Sequence, residues 1–416
     1  MLFFVGRAAI TFCLGLFADG DHLVQFPGQE SPIVSVQDID TKPKPVYIDP
    51  SQLVEVSRAD ITVAGDLMLH LPIVRSGEVD GGYNFDDIFT FVKPYISAAD
   101  YAVANLETTL AGLTNGYDKY SGYPRFNCPD EIVTGLKNAG FDMLLTANNH
   151  SYDTRGIGLR RTQQVISAAG LPNLGTKPSA DAPNYLIADI NGIRIGMLCY
   201  TYENDASPEG KAPNSHKMTP EDAPLINTFD YSNMSLFYEE MAKNIEDLTA
   251  AEVDSVVLFI HWGDENKTQQ NDKQSLMAQN LCDLGVDVII GTHPHYVQAL
   301  DFDQEAGTFV AYSLGDFFGD ATAGGSNYSI ILDIEITKDI HAGITRVTNY
   351  SYTPIYTLKE SDCVDGDRRV VRIYQAIHAY ENNFVDKVTD ACYNDMKYAL
   401  GRISDRIKGN YTGVKE

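Results

Sequence analysis

Short runs of apolar residues alternate, from Ile61 onward, with segments in which apolar side chains recur every three or four positions. Uninterrupted apolar runs are typical of buried strands, and the longer periodic segments are typical of amphipathic helices. Strands are predicted at residues 61–65, 101–105, 142–147, 255–260 and 286–292. Helices are predicted at residues 130–138, 160–169 and 273–284. This alternation predicts an α/β protein whose sheet is covered by helices on its faces.

Two further segments predict antiparallel hairpins. Asn191-Gly192 separates two strand-like runs within residues 185–200, and this dipeptide is a preferred two-residue hairpin turn. Residues 299–316 contain a second pair of apolar runs around a polar turn. The sheets are therefore expected to be mixed rather than purely parallel. Residues 365–405 have a mainly helical pattern and carry no motif.

The first 57 residues differ in pattern from the rest of the chain. Residues 1–20 are almost entirely apolar, with Arg7 as the one basic residue, which indicates a secretory signal or an uncleaved membrane anchor. Residues 28–57 are polar, contain several prolines and show no helical period, as expected of a linker. We therefore expect an extracytoplasmic protein, either secreted or anchored to the membrane. A wrongly assigned start or a cytoplasmic location is the alternative.

Composition and charge narrow the classes of function. The 416 residues include 57 acidic and 31 basic side chains, which gives a formal net charge of −26. Such a chain repels the phosphates of nucleic acid, so no nucleic-acid partner is expected. An anionic substrate needs a local source of positive charge, such as a metal ion. The six cysteines are scattered without a CxxC pair, which argues against a structural zinc site or a disulfide scaffold.

Each of the five predicted strands runs directly into polar residues of the types that bind metal ions. In chain order these are Asp66, Glu107, Asn148-Asn149-His150, His261, and the pair His293 and His295. Ligands of open α/β sheets bind at the carboxyl ends of strands, so these five endings are expected to converge on one crevice. The proline between the last two histidines stiffens their turn, and side chains two residues apart share a side.

The types of side chain at these strand ends indicate which metals could bind. Carboxylate, amide and imidazole groups without cysteine suit Mn, Fe, Zn or Mg. About seven such groups exceed the needs of one tetrahedral zinc ion. They suit two divalent metal ions about 3.5 Å apart that share a carboxylate, an arrangement used in phosphoryl transfer. Two such ions would also supply the positive charge that the acidic chain lacks.

Each of these residues also has an ordinary structural interpretation when it is considered alone. His261 could be a core histidine, Asp66 a turn residue or helix N-cap, and Glu107 a solvated strand end. The segment Asn148-Asn149-His150 could be a turn with asparagine at positive φ. Their joint occurrence at strand ends favours the metal site. Three other histidines are interpreted as ordinary surface or core residues: His216, His341 and His378.

Six short motifs occur in an order that resembles a known family. They are GD (65–66), NLE (105–107), ANNHSYDTRGIG (147–158), HWGDE (261–265), GTHPH (291–295) and YSLGDF (312–317). Over residues 60–320 they resemble the CapA or poly-gamma-glutamate capsule synthesis family (PGA_cap domain), which is related to calcineurin-like metallophosphoesterases. The resemblance implies an α/β fold, a four-layer α/β/β/α sandwich of two mixed sheets. We assign this domain to residues 58–360 and a C-terminal helical extension to residues 361–416.

The resemblance also implies a role for each motif residue. The implied ligands are Asp66 and His295 for one metal ion, Asn149, His261 and His293 for the other, and Glu107 as a bridge between them. His150 would approach the substrate as hydrogen-bond donor or general acid, with Asp153 as its orienting partner.

The activity implied is that of a metal-dependent hydrolase acting on a phosphoester or a γ-glutamyl polymer. It would be linked to capsular poly-gamma-glutamate synthesis or export, together with other capsule synthesis components. The alternative is a non-catalytic component of a capsule or cell-envelope machinery, which would bind an anionic polymer through the same cleft.

The chain departs from the wider superfamily at several positions. Met68 stands where the superfamily has the histidine of an Asp-x-His motif, and a thioether is a poor ligand for hard metals. His70 could substitute for that histidine if the backbone turns there, although a loop position is an equal alternative. Asn266 and Asp316 stand where relatives often have tyrosine and asparagine, which could alter contacts with the substrate.

Two further residues are candidates for contact with the substrate. Arg125 lies among aromatic residues in YSGYPRF (120–126), which could form a lip for an anionic group or a packed proline-rich loop. Glu265 closes the HWGDE motif and is expected beside the ligands or at the rim of the substrate site.

Overall fold

Two mixed β-sheets form the centre of the protein in the computed structural model, which describes residues 55–114, 116–203, 213–320, 325–363, 366, 368–383 and 388–408. The predicted signal or anchor at residues 1–20 lies outside the described residues. So does the predicted linker up to residue 54, whereas its last residues already belong to the first strand.

The first sheet combines long antiparallel strands with shorter parallel ones. In spatial order its strands are β17 (Arg369–Arg372), β16 (Ile344–Leu358), β15 (Tyr328–Asp339), β1 (Val56–Leu67), β4 (Tyr101–Leu106), β5 (Met143–Leu145) and β6 (Asn173–Leu174). Strands β1, β4, β5 and β6 are parallel, and β15 to β17 are antiparallel. A short strand, β14 (Asp316–Phe318), pairs in parallel with the carboxyl end of β1.

The second sheet has a parallel centre and antiparallel edges. In spatial order its strands are β12 (Leu300–Asp303), β13 (Thr308–Ala311), β11 (Val288–Thr292), β10 (Ser255–His261), β8 (Ile193–Tyr202) and β7 (Tyr185–Ile190), with β9 (Thr228–Phe229) beside β8. Strands β8, β10, β11 and β13 are parallel to one another. A separate two-stranded ribbon consists of β2 (Glu78–Val79) and β3 (Gly82–Tyr83).

Nine α-helices surround the sheets within the described residues. They are α1 (Leu71–Ser76), α2 (Asp86–Phe89), α3 (Lys93–Ile96), α4 (Glu131–Ala139), α5 (Arg155–Ala168), α6 (Met234–Ala250), α7 (Asp272–Asp283), α8 (Ile373–Glu381) and α9 (Asp390–Ile407). The start of α7 shows how the sequence sets a boundary, because Asn271 and Gln274 form a reciprocal capping box there. No helix in the described parts of the chain is both long and apolar enough to cross a membrane.

Alternating side chains of each strand point into different apolar layers. Val63 and Val103 of the first sheet share a buried core with Val257 and Phe259 of the second. Their neighbours on the opposite faces pack against α1 to α4 on one side and against α6 and α7 on the other. This period of two is the expected geometry of strands buried on both faces. The predicted four-layer α/β/β/α sandwich of two mixed sheets is therefore confirmed.

The predicted strands and hairpins correspond to observed elements. Asn191 and Gly192, at φ 54° and 81°, both lie in the left-handed region that a tight type I′ hairpin requires. The turn joins β7 and β8 with Ile190 opposite Ile193. Helix α6 and the long β15–β16 hairpin were not predicted. The first half of β16 is mostly exposed and polar, so it lacks the apolar signal of a buried strand.

The segment after residue 360, which was predicted to be mainly helical, contains strand β17 as well as helices α8 and α9. Strand β17 pairs with β16 at the edge of the first sheet. Helix α9 places Met396 and Ile403 in the core between the sheets, and the Tyr356 hydroxyl donates a 2.6 Å hydrogen bond to Asp395. These contacts tie α9 to the first sheet, while the domain boundary at 360/361 stays a prediction.

Met396→Ala tests whether helix α9 contributes to the stability of the main body. Met396 is fully buried, so truncation removes packing and leaves a cavity. We expect the free energy of unfolding to fall by about 2–5 kcal/mol in denaturant titration. The exposed neighbour Lys397→Ala is the control and should change it by less than about 0.5 kcal/mol. Equal, small effects of both variants would contradict this role of α9.

Candidate metal centre

Polar residues at the carboxyl ends of parallel strands from both sheets lie close together. Asp66 lies near the end of β1, Glu107 follows β4, and Asn149 follows β5. From the second sheet, His261 is the last residue of β10, and His293 directly follows β11. All five are buried. The convergence of strand ends is therefore a feature of the fold, although the role of each residue is a separate question.

A first cluster surrounds Nε2 of His261. This atom lies 3.0 Å from Oδ1 of Asn149, 3.1 Å from Nδ1 of His293 and 3.6 Å from Oε1 of Glu107. All four atoms can accept hydrogen bonds, and a single proton on Nε2 could satisfy only one of the three neighbours. A divalent cation would satisfy all of them at once. The cluster therefore fits a metal ion.

Two hydroxyl groups hold the imidazole rings of this cluster. The Thr292 hydroxyl lies 2.9 Å from Nδ1 of His261, and the Tyr202 hydroxyl lies 3.1 Å from Nε2 of His293. Burial, followed by the charge of neighbouring imidazoles, lowers the pKa of both histidines well below the usual value. Both rings are therefore neutral, which is the form that binds metal ions.

A second cluster lies around His295. Its Nδ1 is 2.9 Å from Oδ1 of Asp316 and 3.3 Å from Oδ2 of Asp66. Burial alone would lower the pKa of His295, but the carboxylates of Asp316 and Asp66 raise it well above the usual value. The other oxygen of Asp66 accepts a 2.7 Å hydrogen bond from Asn105. Two carboxylates around one imidazole would suit a cation in place of the proton.

Asp316 was not among the predicted ligands. The parallel pairing of β14 with β1 places it beside Asp66 in strand register. Burial raises its pKa to about 6, with His295 acting in the opposite direction. The motif YSLGDF was visible in the sequence and Asp316 stood out as a departure from relatives. Its position beside Asp66 depends on a strand pairing between distant segments, which the sequence does not reveal.

Glu107 lies between the two clusters. One of its possible ligand groups includes Asp66 and His261, another includes His293 and His295, and the ligand atoms of each group lie within 4.8 Å of one another. Its Oε1 atom is buried without a hydrogen-bond partner. Burial, and then the nearby Asp66 carboxylate, raises the pKa of Glu107 well above the usual value. A buried oxygen with no donor is a position where a metal ion would replace the missing interactions.

The turn that carries His293 and His295 has an unusual backbone. The two residues have φ values of 96° and 61°, in a region that side chains other than glycine rarely adopt. Such conformations cost about 1–3 kcal/mol each and persist only where surrounding structure holds them. The backbone N–H of His293 donates to Asp66, and that of Asn266 donates to the Pro294 carbonyl. The carboxylate of Asp66, a predicted metal ligand, therefore also holds the turn.

Close approach of the chain next to Asp66 requires a glycine. A Cβ atom on Gly65 would lie 1.9 Å from the carbonyl oxygen of Gly315, far inside van der Waals contact. That carbonyl accepts a hydrogen bond from the Asp66 backbone N–H. The GD motif thus lets β1 and the segment before β14 meet, which brings the two aspartates together.

His150 and Asp153 form a buried pair beside these clusters. Nδ1 of His150 lies 2.8 Å from Oδ2 of Asp153, and the Phe126 backbone N–H donates a 2.7 Å hydrogen bond to the same carboxylate oxygen. The Phe126 ring packs edge-to-face against the imidazole, with centroids 4.7 Å apart. Asp153 therefore contacts the Nδ1 side of an imidazole that also lines the cavity described below, which is compatible with its predicted orienting role.

A cavity of about 300 Å³ connects the second cluster with His150. Its lining residues are Met68, His70, Tyr123, His150, Glu265, Asn266, His295, Asp316, Asp320 and Ser326. Glu265 therefore lies at the cavity, on the exposed side. His70 does not join the ligand groups among the described residues; its ring packs against Phe126, and its Nδ1 lies 3.4 Å from the Asp320 backbone nitrogen.

Arg125 was predicted to contact the substrate, whereas His216 was not predicted to belong to the site. Arg125 is exposed on the loop that carries Tyr123, and it does not line the cavity. His216, interpreted above as an ordinary residue, has its Nε2 atom 4.0 Å from Oδ1 of Asp153. No motif surrounds His216, so only the folded chain reveals this proximity.

Comparisons with known proteins give a family match. The sequence model described as "Bacterial capsule synthesis protein PGA_cap" matches residues 60–321, more than half of the chain. The capsule biosynthesis protein CapA of Bacillus anthracis is 28% identical, over 64% of this chain and 61% of its own length. The PGA biosynthesis protein CapA of Bacillus subtilis (strain 168) is 29% identical, over 62% of each chain. The chain thus spans about three fifths of the length of these curated relatives.

Solved structures show more distant similarity. A hypothetical protein from Thermus thermophilus aligns with a TM-score of 0.40 and 15% identity, over 71% of this chain and 98% of its own. A structure titled as a novel phosphatase from Mycoplasma pneumoniae aligns with a TM-score of 0.41 and 13% identity, over 73% of this chain and 95% of its own.

Glu107→Gln tests whether the pKa of Glu107, whose Oε1 atom is buried without a hydrogen-bond partner, is raised in the folded protein. In metal-free protein, a carboxyl group with a raised pKa stabilises the fold at pH values below its unfolded pKa, and this contribution is lost as pH rises through the folded pKa. The variant should therefore become progressively more stable than wild type as pH rises from 5 to 8 in chelator. Urea unfolding across this pH range provides the measurement.

Added metal should reverse this order of stability, so that wild type becomes more stable than Glu107→Gln. A divalent ion at 100 times its dissociation constant should stabilise wild type by about 2.7 kcal/mol and the variant by much less. Glu246→Gln, an exposed position on α6, is the control and should follow wild type throughout. A pH-independent difference between Glu107→Gln and wild type would contradict the raised pKa.

Proposed function

The chain belongs to the bacterial capsule synthesis protein family PGA_cap, and we propose that it is a metal-dependent hydrolase of capsular poly-gamma-glutamate synthesis or export. Its substrate would be a phosphoester or a γ-glutamyl polymer. The observation that carries this proposal is one cavity lined by His150, of the buried His150–Asp153 pair, and by His295 and Asp316 of the second cluster of possible metal ligands. A protein that only bound a polymer would not need a buried, oriented imidazole there.

We propose two divalent metal ions, with Glu107 shared between them. Asn149, His261 and His293 would hold one ion, which the 3.0–3.1 Å distances around Nε2 of His261 support. Asp66 and His295 would hold the other. Asp316 is added to this second set because its carboxylate lies 2.9 Å from His295. When bound, ions of this kind polarise the substrate and make water a stronger nucleophile.

His150 would handle the proton in this reaction. Asp153 would accept a hydrogen bond from Nδ1 and orient the ring, so that Nε2 could donate a proton to the leaving group. The Phe126 N–H bond and the packed Phe126 ring keep the pair from rotating. Residues that are fixed before substrate arrives lose no free energy to reorganisation during the reaction.

The charge of the cavity supports a requirement for metal in substrate binding. Glu265, Asp316 and Asp320 line it, in a chain with a net charge of −26. These carboxylates repel an anionic substrate in the absence of cations. Metal ions at the two clusters would reverse the local sign. Binding of phosphate or carboxylate groups would therefore depend on metal as strongly as turnover does.

The cellular setting proposed here follows from the relatives and from the start of the sequence. The names of the two Bacillus relatives refer to capsule and PGA biosynthesis. The apolar residues 1–20 would direct the folded body to the outside of the cytoplasmic membrane or anchor it there. Its partners would be an anionic polymer or phosphoester and other capsule synthesis components.

Metal content is the direct test of the dinuclear site. Elemental mass spectrometry of protein purified without chelator should give two divalent ions per chain. The double variant Asn149→Ala, His293→Ala removes two proposed ligands of one ion and should retain one ion or none. His341→Ala changes an exposed histidine in the turn between β15 and β16 and should retain both. No bound ion after supplementation with Mn, Fe or Zn would rule out the proposed mechanism.

His150→Ala separates catalysis from polymer binding. On p-nitrophenyl phosphate, bis(p-nitrophenyl) phosphate or γ-glutamyl-p-nitroanilide, kcat should fall about 10²–10⁴-fold because the general acid is lost. Metal content should stay at the wild-type value, since His150 is not a proposed ligand. His341→Ala serves as the matched control with unchanged kcat. Unchanged turnover in His150→Ala would show that His150 is not the general acid. No turnover of any of these substrates by metal-loaded wild type would favour the non-catalytic polymer-binding role.

A further inference from the structure

A buried arginine of the last helix lies next to the metal-binding turn. Arg406, near the end of α9, is only 2% exposed. Its guanidinium carbon lies 4.9 Å from the ring centroid of Tyr296 and 5.1 Å from that of Tyr328. Tyr296 directly follows His295 in the chain. Helix α9 thus contacts the residue beside a proposed metal ligand.

Gly325, which lies beside this arginine, directly precedes a residue of the cavity wall. A Cβ atom on Gly325 would lie 3.0 Å from the Tyr328 hydroxyl, 3.2 Å from the Tyr296 ring and 3.4 Å from Nη2 of Arg406. Ser326, the next residue, lines the cavity that contains His150. The guanidinium, the two rings and the glycine therefore form one packed layer directly behind the cavity.

A planar cation beside two aromatic rings is a rigid element. Arginine stacks on aromatic faces, and the attraction is strongest where water is excluded, as it is around a residue that is 2% exposed. Tyr296 is itself buried and cannot shift without disturbing this contact. The preceding residues, His293 and His295, have left-handed backbones that need external support to persist.

We propose that Arg406 is a positioning residue for the metal site, which holds the His293–Tyr296 turn in its left-handed conformation by fixing the Tyr296 ring from behind. This inference rests on the proposed metal-binding role of His295. Arg406 lies beyond residue 321, where the family match ends. The C-terminal helix would therefore contribute to the metal site as well as to stability.

Arg406→Met, which removes the planar cation and keeps an unbranched side chain, tests this proposal. The first measurement is Mn²⁺ affinity by isothermal titration of the full chain. We expect Mn²⁺ binding to weaken about 10-fold to 100-fold, the usual effect of losing support behind a ligand. Arg406→Lys keeps the charge without the planar stack, so its affinity should lie between those of wild type and Arg406→Met.

Met396→Ala separates positioning from general stability. It removes a buried side chain of the same helix and should destabilise the protein, yet its Mn²⁺ affinity should stay within about twofold of wild type. Tyr328→Leu removes the second ring, leaves the residues of the turn unchanged, and should also weaken Mn²⁺ binding, so it provides another variant should Arg406→Met not fold. Mn²⁺ affinity that is unchanged in Arg406→Met, or equally weakened in Met396→Ala, would overturn the proposal.

A second measurement does not depend on metal. In chelator, hydrogen exchange of the peptide that contains His293 to Val297 should be about tenfold faster or more in Arg406→Met. In Met396→Ala the exchange rate of this peptide should change only as much as the lower global stability of that variant predicts. If wild type binds no Mn²⁺ while this exchange difference is present, the proposed hydrolase fails and the support of the turn by Arg406 stands. If exchange is the same in all variants, Arg406 does not position the turn.

Discussion

The structure depends on a group of buried hydrogen-bond acceptors that face one another with too few protons. Nε2 of His261 has three other lone-pair atoms within 3.6 Å, and Oε1 of Glu107 has no donor at all. Such an arrangement is unfavourable in a low-dielectric interior unless a cation lies among the acceptors. The fold assembles this group from the ends of four strands, so the protein without a cation has unfavourable electrostatics there. A cation that binds among these acceptors would remove the unfavourable interactions, and the free energy gained would strengthen its binding.

Packing and backbone geometry maintain this arrangement. Glycines at positions such as Gly65 let two strands approach until Asp66 and Asp316 are neighbours. The left-handed histidines of the turn are held by the Asp66 carboxylate on one side, and the layer that contains Arg406 packs behind them. The two sheets supply opposite halves of the site, so their shared core fixes the distance between the halves. Stability of the sandwich and geometry of the site are thus linked.

Electrostatics connect this site to the proposed chemistry. The protein is strongly acidic and carboxylates contribute to the lining of its cavity, whereas the proposed substrate is anionic. In the proposed mechanism, divalent ions would resolve this conflict, because they would place positive charge only at the two clusters. The net charge of the rest of the chain is negative and would repel an anionic polymer. Under this proposal, polymer bound away from the site would be released easily.

Alternating apolar runs determined the α/β class, the central strands and the hairpin at Asn191-Gly192, because strand period and turn chemistry are local properties. The same runs ended in ligand-type residues, so the identity of most candidate site residues was also present in the sequence. Other features depended on which distant segments pair. Asp316 reached Asp66 through the β14–β1 pairing, His216 reached Asp153 across more than sixty residues, and Arg406 reached Tyr296 from the last helix. Met68 and His70 line the cavity without joining a ligand group of the described residues. Sequence determined the chemistry available to the site, whereas tertiary structure decided which groups meet, because distances between remote segments arise only when both sheets pack.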